Sequence, residues 1–344
     1  MSAYQKYNFV IFIPENEYYP VNFFDVNDLC NVRIIKVQYT INMEGKLSLK
    51  FSPCRSEMNP YTFKSPMDNL FFGDYFNEEF PVRRPIIFYA VHDAYTWMKA
   101  IGYFNYLRSN YPDCKIVIGL TNPVNSPYQG NVALTNSLIN ENTISVMNSD
   151  LDCIITYNKS DAVRFGFVHY IGFYSRLPIK CPIETSDIFF IGWAKDRLHK
   201  IHDYYKYFKS IGLRCDFYIA GVPTEQQEFP NEIHYNQKLS YLEVLDHVIH
   251  SKGVLEVAQN NTYGLTMRFF ESLVYDKNFV TDNGFLNQEK FLRSPKLFYI
   301  PPYSNLNIDP EKYFIVSKLS NNYKNEYSPV RLLEFLEAHF NSLT

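Results

Sequence analysis

The sequence lacks several patterns that would assign a function directly. Its six cysteines include no C-x-x-C pair, and the chain has no G-x-G-x-x-G and no G-x-x-x-x-G-K-[ST] segment. These absences argue against a zinc ribbon, a dinucleotide-binding fingerprint and a Walker phosphate loop. The chain also has no G-x-S-x-G and no H-E-x-x-H segment, which argues against a hydrolase elbow and a zincin-type metal site.

Clustered charge and long apolar runs are absent as well. The net charge is −3, with 33 Lys and Arg against 36 Asp and Glu, and no basic block is present. Nucleic acid is therefore disfavoured as a partner, because surfaces that follow phosphates need clustered cations. No apolar segment reaches membrane-spanning length and no signal pattern opens the chain, so we expect a cytoplasmic protein, at most associated with the inner face of a membrane.

What is present indicates two globular domains. The chain has 344 residues, of which 46% are hydrophobic and 20% charged, enough for two cores of ordinary size. A Pro-rich segment at 177–186 resembles a linker, and the predicted boundary follows residue 180. In the first half, 1–180, strands are predicted at 7–13, 32–40, 85–91, 115–119 and 153–157, and helices at 94–109, 159–166 and near 136–146. The stretch 44–82 is predicted to be irregular.

The second half, 181–344, alternates regularly between strand and helix patterns. Apolar runs typical of buried parallel strands lie at 187–192, 215–221, 253–258 and 278–281. Helical spacing begins at Asp196 and again at 266–275, while Ser240 and Glu243 form a capping box for a third helix. A last helix is predicted from Pro329 to Phe340. This alternation is typical of a doubly wound α/β sheet.

A first candidate site lies between a predicted strand end and a helix start. Gly192, Lys195 and Arg197 occupy this loop. Glycine permits close approach of a ligand to the backbone, and two cations beside a helix N-terminus suit a diphosphate. The alternative is an ordinary solvated loop. Cations at a helix N-terminus oppose the helix dipole, which favours the anion-binding interpretation.

A second candidate site has the same form. The loop residues Tyr263, Gly264 and Thr266 lead into a helix that carries Arg268 and Glu271 in its first turn. Arg can clamp a phosphate with two hydrogen bonds, and Glu can accept hydrogen bonds from ribose hydroxyls. The alternative is an i,i+3 ion pair on a solvated helix surface.

These segments carry a family resemblance. FFIGWAKDRLHKI…CDFYIAG and VLEVAQNNTYGLTMRFFESLVYDKNFVTDN are similar to the donor half of bacterial GT-B glycosyltransferases of lipopolysaccharide and capsular polysaccharide biosynthesis, and CIITYNKSDAVRFGFVHYIGFYS resembles the end of their N-terminal half. The resemblance covers about residues 150–285 and implies two Rossmann-like domains facing a cleft, the first binding an acceptor and the second a nucleotide-sugar. It implies that Lys195 and Arg197 hold the donor diphosphate and that Arg268 and Glu271 contact diphosphate and ribose. Gly221 and Tyr235 would lie beside the nucleobase.

Catalytic groups are expected in the first domain. His92 and Asp93 follow the strand at 85–91, where either side chain can act as the base of an inverting enzyme. For Asp93 the alternative is a helix N-cap, and a retaining enzyme would need no such base. Asp150 and Asp152 read as a turn before a strand, so neither a metal nor another cofactor is expected.

The expected activity is therefore metal-independent glycosyl transfer from a nucleotide-sugar to an oligosaccharide or lipid-linked saccharide in surface polysaccharide assembly. Two alternatives remain. One is a polyol-phosphate transferase of the teichoic-acid type on the same scaffold, and the other is a non-catalytic protein that binds a sugar or a nucleotide.

Overall fold

The computed structural model describes most of the chain as two separate compact units. The described residues are 6–15, 21–41, 47–54, 75–122, 124, 151–179, 185–259, 263–287, 297–300 and 326–343. Unit 1 consists of Met1–Ser175 and Tyr327–Thr344, and unit 2 consists of Arg176–Glu326.

Unit 1 is built on a seven-stranded sheet. Its strands are β1 (Asn8–Pro14), β2 (Val32–Ile41), β3 (Leu47–Cys54), β4 (Ile86–Val91), β5 (Lys115–Leu120), β6 (Cys153–Thr156) and β7 (Val168–His169). Its helices up to this point are α1 (Tyr75–Glu78), α2 (His92–Ala100), α3 (Tyr103–Asn110) and α4 (Lys159–Phe165). The strand order is β3-β2-β1-β4-β5-β6-β7, and every pair is parallel except β2 with β3.

The apolar composition of the unit 1 strands explains the sheet. All seven residues of β1 and all six of β4 are buried, as central parallel strands covered on both faces require. The predicted helix at 94–109 is interrupted, because Gly102 adopts a left-handed backbone (φ 71°) between α2 and α3. The stretch 44–82 was predicted to be irregular, but it contains β3 and α1. The helix predicted near 136–146 lies outside the described residues.

Unit 2 has a six-stranded sheet in which all pairs are parallel. Its strands are β8 (Ser186–Trp193), β9 (Cys215–Ala220), β10 (His234–Tyr235), β11 (Ser251–Glu256), β12 (Asn278–Thr281) and β13 (Leu297–Tyr299), and its helices are α5 (Leu198–Ser210), α6 (Tyr241–Ile249) and α7 (Met267–Val274). The order is β10-β9-β8-β11-β12-β13. Both units therefore reverse their strand order beside their first strand, as Rossmann-like domains do, which confirms the prediction of two such domains. The capping box of Ser240 and Glu243 on α6 is also confirmed.

The last helix belongs to unit 1, whereas the sequence assigned all of 181–344 to the second domain. This helix, α8 (Pro329–Asn341), packs Leu332, Leu336 and Phe340 into the core of unit 1. The Lys6 backbone N–H also donates to Glu337 Oε1 at 2.9 Å. The division therefore falls after Ser175, and the chain returns to unit 1 at Tyr327, because the apolar face of α8 completes the first core.

Among the described residues, no helix combines the length and the apolar character that crossing a membrane requires.

Candidate functional site

The main cavity of interest lies within unit 2, where β8 and β11 are neighbours and the strand order reverses. Crevices at the carboxyl ends of such strands are the usual ligand sites of doubly wound sheets. The cavity has a volume of about 250 Å³. Its lining combines both sequence-predicted segments and consists of Phe190, Ile191, Gly192, Trp193, Lys195, Arg197, Leu255, Glu256, Val257, Ala258, Gln259, Thr266, Met267 and Arg268.

Lys195 is one of the lining residues of this cavity. It opens a 3-10 turn, Lys195–Arg197, that precedes α5, so both cations come before the helix instead of inside it. Its backbone is left-handed (φ 46°), an uncommon conformation for a residue with a Cβ. Its Nζ donates to Gln259 Oε1 at 2.8 Å. Burial lowers the pKa of Lys195, and the neighbouring Arg197 lowers it further.

Arg197 carries a positive charge that no described carboxylate pairs with. Its guanidinium donates instead to two backbone carbonyl oxygens, that of Val257 and, at 2.6 Å, that of Trp193. Its Nε is buried and has no partner among the described residues. Gly192 lies beside this guanidinium, since a Cβ there would be in van der Waals contact with Arg197 Nη2 at 3.4 Å. Burial lowers the pKa of Arg197, while the negative charges of Asp196, Asp282 and Glu256 act in the opposite direction. A buried cation whose hydrogen bonds go to carbonyl oxygens favours an anionic ligand.

The second predicted segment enters the same cavity at the start of α7. Thr266, Met267 and Arg268 line the cavity at the helix N-terminus, whose free N–H groups favour an anion. Arg268 forms an ion pair with Glu271, three residues further along the helix.

Glu271 has a different position from the one expected. Its side chain is fully buried and does not line the cavity, since its carboxylate accepts hydrogen bonds from Arg268 and, at 2.8 Å, from Tyr241 Oη on α6. Burial raises the pKa of Glu271, while Arg268 and Tyr241 act in the opposite direction. In this geometry Glu271 orients Arg268 and anchors α7 on α6. The rotation of the helix directs this carboxylate into the core, and its contact with ribose stays a prediction.

Glu256 is a cavity residue that the sequence prediction missed. It ends β11, is 5% exposed, and accepts hydrogen bonds from Thr266 Oγ1 and, at 2.5 Å, from Thr281 Oγ1. Burial raises its pKa, although these hydroxyl donors oppose the shift. A charged residue inside the apolar run at 253–258 is the signal that would have identified it.

The two residues expected beside a nucleobase, Gly221 and Tyr235, differ in their position relative to the cavity. Gly221 has a left-handed backbone (φ 73°) and lies against Trp193, a cavity residue that the sequence prediction also missed. Tyr235 is absent from the cavity lining, and its hydroxyl instead interacts with His202 Nε2 at 2.7 Å. Burial raises the pKa of Tyr235 to about 12.

Tyr263 and Gly264 support the second segment without lining the cavity. The Gly264 carbonyl accepts a hydrogen bond of 2.9 Å from Asn283 Nδ2, and the Asn283 amide N–H donates to Thr281 Oγ1 at 3.0 Å. Tyr263 is 41% exposed and contacts the edge of Phe285. The loop before α7 is thus fixed to the end of β12.

The predicted base candidates lie in unit 1, at the point where its own strand order reverses. His92 and Asp93 begin α2 directly after β4. The helix N-cap is Val91, so the interpretation of Asp93 as the N-cap is wrong. Both ring nitrogens of His92 are buried without a partner among the described residues, and burial lowers its pKa to about 4. Burial raises the pKa of Asp93.

Within the described ranges, no group of three or more His, Cys, Asp and Glu side chains is arranged to hold a metal ion. Asp152 instead accepts a hydrogen bond of 2.7 Å from the Ile116 amide, beside the Arg108 side chain. Asp150 lies outside the described residues, so the turn expected before β6 stays a prediction.

Comparisons with known proteins find similar chains only among solved structures. No protein-family model and no curated protein matches the sequence. T4 phage BGT in complex with its UDP-glucose substrate is 14% identical over 85% of each chain, with a TM-score of 0.41. The GtfA/B complex is 11% identical over 86% of this chain and 66% of that chain, with a TM-score of 0.40. The DNA modifying enzyme β-glucosyltransferase is 14% identical over 85% and 84%, with a TM-score of 0.40. Likeness at this distance assigns neither a donor nor an acceptor.

Proposed function

We propose that the chain is a glycosyltransferase that binds the diphosphate of a nucleotide-sugar in the cavity between β8 and β11. The observation that carries this proposal is the meeting of Lys195, Arg197 and Arg268 around one cavity, although they come from two segments some 70 residues apart. Together with the N-terminus of α7, these cations suit a ligand with two adjacent phosphates.

The same groups supply the chemistry that sugar transfer requires. Breaking the bond between the sugar carbon and the diphosphate oxygen leaves negative charge on the diphosphate. Cations already fixed at that point stabilise the charge without reorganising. The hydrogen bonds of Lys195 and Arg197 described above go to neutral oxygens, so a phosphate can supply each with a charge-assisted hydrogen bond. We therefore propose a transfer that needs neither a metal ion nor another cofactor.

We propose a base in unit 1 for an inverting reaction. The acceptor hydroxyl must lose its proton as it attacks the sugar, and Asp93 and His92 are the candidates because both follow β4 at the reversal of the strand order. His92 is neutral at pH 7, since burial holds its pKa near 4, and a neutral ring can also accept a proton. A retaining reaction would need neither group as a base.

The acceptor proposed is an oligosaccharide or a lipid-linked saccharide in surface polysaccharide assembly. The net charge of −3 without a basic block favours a saccharide over nucleic acid as the acceptor. The corresponding place of action is the cytoplasm or the inner face of the membrane.

The experiment that tests the donor site is calorimetric titration with UDP, GDP, CDP and ADP. We expect at least one of them to bind, and Lys195→Met to weaken binding about 10-fold, the effect of one lost charge-assisted contact. The matched control is Lys206→Met, because Lys206 lies on α5 away from the cavity and pairs with Glu228. No binding of any nucleotide, or equal effects of both substitutions, would contradict the donor site.

Turnover assays then distinguish glycosyl transfer from the two alternative functions. Release of nucleoside diphosphate from sugar donors, undiminished by a chelator, supports metal-independent glycosyl transfer. Release of CMP from a CDP-polyol would instead indicate the polyol-phosphate transferase, and binding without any turnover would indicate a sugar- or nucleotide-binding protein.

A further inference from the structure

Trp193 presents an open aromatic surface beside the cation-lined cavity. It is the last residue of β8, it lines the cavity, and half of its surface (50%) remains exposed. One side of the indole lies against Gly221, where a Cβ would approach the ring Cε3 atom to 2.7 Å. An indole that is packed on one side and exposed on the other leaves apolar area in contact with water, which is unfavourable. Its exposed face is suited to stacking on a planar ring.

The distance between this indole and the cations is fixed by the backbone. The Trp193 carbonyl accepts a hydrogen bond of 2.6 Å from Arg197 Nη2, and the Ala194 amide donates to the Ala220 carbonyl at 2.9 Å. The Trp193 indole and the proposed phosphate site therefore lie at the same strand end, at a fixed spacing. A ligand with a flat ring attached to a diphosphate can reach both at once.

In the Gly221–Val222 turn beside the indole, most backbone groups that could recognise a particular base are already hydrogen-bonded within the protein. The amide N–H groups of Gly221 and Val222 both donate to Asn236 Oδ1, at 2.8 and 3.1 Å. The Val222 carbonyl accepts from Asn236 Nδ2 at 2.8 Å and from Gln227 Nε2 at 3.0 Å. Groups that are already paired contribute little to discrimination, because a ligand would have to break existing hydrogen bonds to use them.

We infer that Trp193 stacks on the nucleobase of a nucleoside diphosphate, and that this stacking, instead of hydrogen bonds to the Gly221–Val222 turn, recognises the base. The site then accepts purine and pyrimidine diphosphates alike, with purines bound more tightly because their rings overlap the indole more fully. This inference rests on the proposed diphosphate site and specifies its ligand class.

The test compares ligands with and without a base. Pyrophosphate, UDP, CDP, ADP and GDP are titrated calorimetrically into the full chain and into its Trp193→Ala and Trp193→Phe variants. Loss of the indole should weaken every nucleoside diphosphate about 5- to 100-fold, the range of one base–aromatic stack, and leave pyrophosphate unchanged. Phenylalanine should restore part of the affinity. The four nucleotides should differ among themselves by less than about 10-fold, with purines ahead.

A second variant displaces the indole without removing it. Gly221→Ala places a methyl group where the ring now lies, so it should weaken nucleoside diphosphates and spare pyrophosphate. The chain has two tryptophans, so Trp97→Phe leaves Trp193 as the single indole reporter, and base stacking should quench its fluorescence. This readout does not depend on turnover.

The outcomes separate the inference from the proposed function. Stacking recognition is overturned, while the diphosphate site stands, if Trp193→Ala does not weaken nucleotide binding more than pyrophosphate binding. A preference of more than about 100-fold for one base would overturn it as well. If neither pyrophosphate nor any nucleotide binds the unaltered chain, the proposed function fails and this inference fails with it.

Discussion

Lys195 Nζ donates a hydrogen bond of 2.8 Å to Gln259 Oε1, joining the segments that follow β8 and β11. An amide oxygen is a weak partner for an ammonium group, since it carries no net charge. The Lys195 charge thus stays available to a ligand, and the identity of residue 259 governs how available it is.

Replacing Gln259 by Glu should weaken diphosphate binding by about 10-fold or more. The substitution keeps the shape of the side chain but gives Lys195 an anionic partner and adds negative charge to the cavity. Calorimetric titration with pyrophosphate and UDP measures the effect. Gln226→Glu, an exposed substitution outside the cavity, is the control and should change the affinity little. Unchanged binding to the Gln259→Glu variant would contradict a phosphate at Lys195.

Replacing Arg268 by Ala should destabilise the protein by about 3–5 kcal/mol. The substitution leaves the fully buried Glu271 without its cation, and an unpaired buried charge is costly. Adding Glu271→Gln to the variant should recover part of the loss. Urea denaturation of both single variants and the double variant measures the coupling.

Arg331→Ala provides the matched control for Arg268→Ala. Arg331 forms the same i,i+3 pair with Glu334 on α8, but its side chain is 42% exposed, so the loss should stay below about 1 kcal/mol. A similar loss of unfolding free energy in both variants would show that the burial of Glu271 does not determine the cost of removing its arginine partner.

The free energy of unfolding should carry a pH dependence from Glu256 and Glu271. Burial raises the pKa of both carboxyls, so the folded state holds these protons more tightly than the unfolded state does. Their contribution to stability is therefore fully present below the ordinary pKa of 4.5 and falls as the pH rises through the folded-state values. Glu256→Gln should flatten this slope in urea denaturation measured from about pH 4.5 to about pH 8.

His92 works in the opposite direction over part of that range. Its pKa falls from 6.5 to about 4, so its contribution is lost as the pH falls through this window. The relevant quantity is thus the difference in slope between each variant and the unaltered chain. An unchanged slope for Glu256→Gln would mean that this carboxyl titrates normally.

Asp93→Asn should lower kcat for sugar transfer by about 10²- to 10⁴-fold if the reaction inverts the sugar. The amide keeps the shape of the side chain but cannot accept the acceptor proton. Donor affinity should change little, because Asp93 is not among the residues that line the proposed donor cavity. Asp113→Asn, on the exposed turn before β5, serves as the control. Full activity of the Asp93 variant would transfer the role to His92, which His92→Gln then tests, or indicate a retaining reaction.

The sequence predicted the features that depend on local patterns. Apolar runs such as 187–192 and 253–258 became buried parallel strands, and the segments that follow them met at one cavity, since the carboxyl ends of neighbouring parallel strands share a sheet edge. The capping box at Ser240 was likewise readable, because it depends on residues three apart.

Features that depend on tertiary packing were beyond the reach of the sequence. Spacing alone put Arg268 and Glu271 on one helix face, but the rotation of α7 decides that Glu271 points to Tyr241 and away from the cavity. Glu256 lies inside the predicted strand 253–258 and Trp193 just beyond the predicted strand 187–192, so their position at the open edge of the sheet became evident only from the observed strand ends. For the final helix, nothing in the local sequence indicates which core its apolar face will join.

That final helix has a consequence for how the protein forms during synthesis. Unit 2 is a continuous segment, while unit 1 closes only when α8 joins it, and a hydrogen bond of 2.8 Å from the Tyr174 amide to the Tyr327 carbonyl links the two parts of unit 1. During synthesis, Arg176–Glu326 can therefore complete its core before α8 has been made. The N-terminal part of unit 1, which is synthesised first, lacks this helix until then. A premature stop before Pro329 would leave the later-made half intact and the earlier-made half exposed to proteases and chaperones.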